Sequence, residues 1–187
     1  MSDYPRIPEA VPLFEVAKER LEEAIEVLLE RAGISEDELR VPRPFVAYDV
    51  QRHSAYQPWS NTIVISPRGF NRRDTYGEEA AHWLFYSVNP DDTLTGFDCR
   101  EKNNPDWELF YNLHEVLGRY GANILTEGRA ADETRDYSGF DDGHRAGYRT
   151  ADAIWREQGS NLFRDLLLSN LDELLALIDP YGFSIGE

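Results

Sequence analysis

The stretch Tyr76-Gly77-Glu78-Glu79-Ala80-Ala81-His82-Trp83-Leu84-Phe85-Tyr86 constrains this chain more than any other. Wound at roughly 100° per residue, it places Glu78, Glu79, His82 and Tyr86 within one arc of about 100°. Ala80, Ala81, Trp83, Leu84 and Phe85 fill the remaining circumference. A helix apolar on nearly every other side belongs in a core. Carboxylates and an imidazole inside a core need partners, because an unpaired buried charge is expensive. One metal ion would satisfy all of them together.

The 187 residues suit a single domain, 1–187, with a core large enough to stand without disulfides. Cys99 is the only cysteine, so neither an intrachain disulfide nor a thiolate zinc site is expected. No apolar run approaches the roughly 20 residues that span a bilayer. The opening Met1-Ser2-Asp3-Tyr4-Pro5-Arg6 lacks the pattern of a secretion signal. The expectation is a cytoplasmic protein with no membrane partner. Thirty-five acids face nineteen bases, a formal net charge of −16, which argues against binding to nucleic acid. Only Lys18 and Lys102 are lysines. Such acid-rich, lysine-poor surfaces resemble those of halophilic proteins, whose self-repulsion is screened because the Debye length at molar salt is roughly 3 Å. The plainer alternative is an acidic protein from a GC-rich genome.

Along the chain, residues 13–32 carry Phe14, Ala17, Leu21, Ala24, Ile25 and Leu28 at helical spacing, with Gly33 at the position of a C-terminal cap. Ser35 and Glu38 form a candidate capping box. Phe45–Val50 and Thr62–Ser66 read as two strands of an elaborated hairpin. The glutamate-histidine helix spans roughly 76–88 and stops at Asn89-Pro90. Residues 89–106 read as a long surface loop. Helices are expected over 106–127 with a possible continuation to Asp136, over 142–157, and over 161–178 as one leucine-rich segment. The predicted class is α+β, mostly helical, with four to five helices and a small antiparallel sheet.

The four histidines separate by position. His114 lies roughly 80° from the centre of the stripe formed by Phe110, Leu113, Leu117, Tyr120 and Ile124, on a line with Gly118, Gly121 and Leu125. Glycines on that line let another helix or a ligand approach closely. Glu115 lies about opposite the stripe and is expected to be solvated. His144 shares a face with Tyr148, Ala151 and Trp155, while His53 sits in a polar segment and reads as a surface residue. Imidazole and carboxylate are the usual nitrogen and oxygen ligands of zinc, iron and manganese. A lone inward histidine is more often a hydrogen-bonded core residue, and Glu78 and Glu79 are also explained as acids favoured near a helix N-terminus.

The segment Glu78-Glu79-Ala80-Ala81-His82 resembles the active-site helix of zincin metallopeptidases, whose signature is His-Glu-x-x-His. The strand Asn61–Ser66 before it is also similar to the family's arrangement. The resemblance covers residues 61–128 and implies a zincin-like fold with zinc or another divalent transition metal as cofactor. It makes Glu79 the general base and His82 a metal ligand. Glu78 stands where the family has its first histidine; a carboxylate there keeps a ligand but makes the ion a weaker Lewis acid. A downstream helix brings the family's third ligand, and His114, His144, Glu115 and Glu127 are the candidates. The implied activity is hydrolysis of an amide in a peptide or protein substrate. Two alternatives stand beside it. One is a non-enzymatic scaffold in which Glu78 and Glu79 pair with arginines such as Arg119 or Arg145. The other is a di-iron or di-manganese carboxylate protein, in which Glu79-x-x-His82 would need Asp141-x-x-His144 as its counterpart.

Overall fold

A computed structural model describes residues 10–50, 53–96, 103–132 and 142–183. The opening residues, Cys99, Asp136 and Asp141 lie outside them. Helix α1 (Ala10–Ala32) buries the expected stripe of Ala17, Leu21, Ala24, Ile25 and Leu28. It ends at Gly33, whose φ of 60° is the left-handed conformation that glycine adopts without strain. Arg164 donates to the carbonyls of Ala32 and Gly33 and so satisfies the end of the helix. Glu38 accepts from both the amide and the hydroxyl of Ser35, as the Ser-x-x-Glu spacing predicts.

The sheet departs from the antiparallel hairpin expected of the sequence. Strands β1 (Phe45–Tyr48), β2 (Ala55–Gln57) and β3 (Thr62–Ile65) pair in the order β1-β3-β2. β1 and β3 run parallel, with Phe45 opposite Thr62 and Tyr48 opposite Ile65, while β2 runs antiparallel to β3. The segment joining the two predicted strands holds a third strand of its own. Its two reversals bring β3 back in the direction of β1, making the sheet mixed. The central strand is covered on both faces: Ile63 and Ile65 are fully buried and Val64 nearly so.

The remaining α-helices among the described residues are α2 (Arg73–Val88), α3 (Asp92–Thr95), α4 (Trp107–Leu125), α5 (Arg129–Asp132), α6 (Asp142–Gln158), α7 (Phe163–Leu168) and α8 (Leu171–Ile178). The expected 89–106 loop therefore contains a short helix. The expected 161–178 helix is two, because Asn170 and Glu173 form a reciprocal cap that starts α8 afresh. The side-chain amide of Asn89 bonds the carbonyls of Leu167 and Ser169 at 2.8 Å each, where α7 ends. Helix α4 stops short of Glu127, since Glu127 and Gly128 take left-handed φ values of 53° and 80°. The resulting class is α+β and mostly helical.

Helix α4 is the axis of the fold. It packs along α2 on one side and α6 on another, with α1 and α7 also in contact. Every residue from Asn112 to Leu125 is buried in consequence. This overturns the expectation that Glu115 faces solvent. A single apolar stripe implies one packed side and one wet side, but α6 covers the side opposite that stripe. Two close approaches make the packing feasible. A Cβ on Gly121 would stand 2.3 Å from the Ala81 Cβ of α2, and one on Gly147 of α6 would stand 2.6 Å from the Glu115 Cβ.

Candidate metal centre

Glu78 and His82 are four residues apart on α2 and so share one face, one turn above the other. That face is turned toward α4. There Glu115 meets them: one ligand atom each from Glu78, His82 and Glu115 all lie within 4.8 Å of one another. Tetrahedral bonds of about 2.0–2.2 Å would hold such atoms roughly 3.3–3.6 Å apart, so small side-chain rotations bring them onto one ion. Gly118, one turn after Glu115, provides the room. A Cβ there would lie 2.5 Å from His82 Nε2 and 3.1 Å from Glu78 Cγ.

Helix α6 supplies one partner to each carboxylate. The Tyr148 hydroxyl donates to Glu78 Oε1. His144 Nε2 lies 3.4 Å from Glu115 Oε2, and its Nδ1 is 3.0 Å from the Tyr111 hydroxyl. Tyr148 and His144 are themselves four residues apart, so one face of α6 reads both acids. Burial pushes the Tyr148 hydroxyl well above its ordinary range, with the Glu78 and Glu115 charges adding to it, so it stays a protonated donor.

The electrostatics follow from enclosure. Burial raises the Glu78 carboxyl above its ordinary value, an effect that the Tyr148 hydrogen bond and the charges of His144 and Arg119 only partly offset. Burial, with His114 and His144 adding to it, lowers His82 to about 3, so its ring is neutral and keeps a lone pair at neutral pH. His114 is lowered by burial to about 4, although its hydrogen bond to the Leu94 carbonyl acts the other way. Glu79 is raised well above the carboxylate range by burial and then by the charge of Glu78, against the pull of the Tyr56 amide.

The other residues singled out from the sequence are distributed around this centre. His114 is buried, with its ring centroid 6.3 Å from that of His82. Its Nε2 lies 3.3 Å from the Leu94 carbonyl, and its ring stands edge-on to Phe85. His144 is 28% exposed and stands beside Glu115 at the rim. Glu79 turns away from the cluster toward the sheet, where Oε2 accepts the Tyr56 amide at 2.7 Å. Glu127 is exposed beyond the end of α4, and His53 is exposed as expected. Arg119 is engaged by Asp152 rather than by Glu78 or Glu79, with Nε 2.9 Å from Oδ1. Sequence reasoning missed Tyr148 and Gly147, and it misplaced Glu115. The glycine pair on α4 marks only its approach to α2, and the one signal for the α6 side was Gly147 itself, whose missing side chain lets α6 close on Glu115.

No protein-family model matches the chain, and no curated protein or solved structure shows a significant match to it.

Proposed function

We propose a metal-dependent hydrolase of zincin-like design, with Glu78, His82 and Glu115 holding the ion. The reading is carried by the convergence of three ligand atoms from two helices within 4.8 Å, across a gap that Gly118 keeps open. The donor set fits a divalent transition metal: one neutral imidazole and two carboxylates suit zinc, iron or manganese. Such an ion supplies Lewis acidity toward a carbonyl oxygen and a lowered pKa for its water.

The protein's own groups do the rest. Glu78 and Glu115 bring the charge that balances a dication, and Tyr148 and His144 orient them. Glu79, whose carboxyl is raised by burial and by the charge of Glu78, would serve as the general base only after leaving the Tyr56 amide and turning toward the ion. The substrate class is a peptide or protein amide. That Glu79 is tied to the Tyr56 amide favours a second reading, a non-enzymatic scaffold in which this carboxylate fastens α2 to β2.

Elemental analysis of protein purified without chelator, with His82→Ala and Glu115→Gln alongside, separates the two. A metal centre gives about one equivalent of metal, lost in both variants. Less than about 0.1 equivalent in the wild type leaves only the scaffold. Glu79→Gln should retain the metal and abolish amide hydrolysis. As a mere fastener it would lower the melting temperature instead.

A further inference from the structure

We propose that the seam between α4 and α6 carries a positioning chain, Asp152–Arg119–Tyr148, which fixes the direction from which Glu78 meets the ion. The inference rests on the metal reading above. All three side chains are buried, at 1%, 1% and 4% exposure. Asp152 accepts Arg119 Nε at 2.9 Å on Oδ1 and Arg119 Nη2 at 3.2 Å on Oδ2. The Asn123 amide donates to Asp152 Oδ1 at 2.8 Å, and Arg119 Nη2 also donates to the Ala130 carbonyl. The guanidinium carbon then lies 5.0 Å from the centre of the Tyr148 ring, within the range of cation–π attraction. The Tyr148 hydroxyl donates to Glu78 Oε1.

Each link restricts the next. A planar guanidinium gripped by both oxygens of one carboxylate cannot turn about its axis. The ring facing it is thereby held in one orientation. A phenol has a single proton to donate, and this one goes to Oε1, leaving Oε2 of Glu78 for the ion. A buried ion pair is poor evidence for added stability, since apolar residues of equal volume often serve as well. Its place behind a ligand partner supplies a different reason for its presence.

The test is a zinc titration of the full chain against a chromophoric competitor, with the visible spectrum of the cobalt(II) form as a second readout. Tyr148→Phe keeps the ring and removes the proton. It should weaken zinc binding by about 10-fold or more and alter the cobalt bands, because the freed Oε1 can join the coordination. Arg119→Lys keeps the charge and loses the fork. It should weaken zinc binding about 3-fold in the wild type and have no effect in the Tyr148→Phe background, since it acts through that hydroxyl. A Tyr148→Phe affinity within about 2-fold of wild type, or an unaltered cobalt spectrum, overturns the proposal. Equal effects of Arg119→Lys in both backgrounds also overturn it, reducing Arg119 to a packing role. Wild-type protein that binds no zinc or cobalt would remove the metal reading itself, an outcome distinct from the others.

Discussion

At the scale of the residue, the candidate site depends on what Gly118 lacks. In a helix interior alanine is normally favoured over glycine by about 0.5–1 kcal/mol. Here the added methyl would stand 2.5 Å from His82 Nε2 and 2.7 Å from Cε1, so either the imidazole swings away or α2 and α4 separate. Gly118→Ala is expected to cost about 1–3 kcal/mol by overpacking, read as a lower melting temperature, and to weaken zinc binding at least tenfold. A more stable variant with unchanged affinity would show that His82 has no fixed place against α4. Part of this was legible in the sequence: the line His114, Gly118, Gly121 marked a closely approached face, and the arc of Glu78 and His82 marked polar groups within a core. Glu115 stood among the candidates for the third ligand, but its burial was not legible. Its neighbours on either side of α4 come from distant stretches of chain, and the hydrophobic pattern of one helix records only its most apolar side.

At the scale of the element, the clearest lesson is the break between α7 and α8. Leucine periodicity continues through 161–178, yet Ser169 and Asn170 are extended and Asn170 caps a new helix. The break is anchored from elsewhere by Asn89 and by Asp91. Asp91 accepts the Thr93 amide at 2.8 Å, capping α3, and the Leu171 amide at 3.0 Å, fastening the start of α8. Asp91→Ala should therefore cost about 1–2 kcal/mol, measured by denaturant melting. Partial burial alone would raise the Asp91 carboxyl, but hydrogen bonds from the Leu171 and Thr93 amides outweigh it and hold the group below its ordinary value of 3.8. A depressed folded value means stability that is present above pH 3.8 and is lost as the pH falls through that folded value. The wild type should lose stability there more steeply than Asp91→Ala. Parallel acid limbs for the two would remove Asp91 as the cause. Local sequence shows that Asn-x-x-Glu can start a helix; the partners that make it do so lie some eighty residues earlier.

At the scale of the molecule, the net charge of −16 acts on stability through salt. Raising the salt from about 0.1 M to about 3 M shortens the Debye length from roughly 10 Å to below 3 Å and should raise the melting temperature by several degrees. A level melting temperature across that range would discard the halophilic reading. Among the described residues no helix is long and apolar enough to cross a membrane, in keeping with the absence of any long apolar run. Short-range patterns in the sequence were enough to place α1, α2, α4 and α6, to end α1 and α2, and to put acids and a histidine on the otherwise apolar cylinder of α2. These are consequences of periods and caps a few residues long. The parallel run of β1 and β3, the closure of α6 over Glu115 and the reach of Tyr148 to Glu78 came from packing between distant segments. Strand direction and helix neighbours depend on contacts between segments far apart in the chain, and no short-range pattern encodes which distant face will be met.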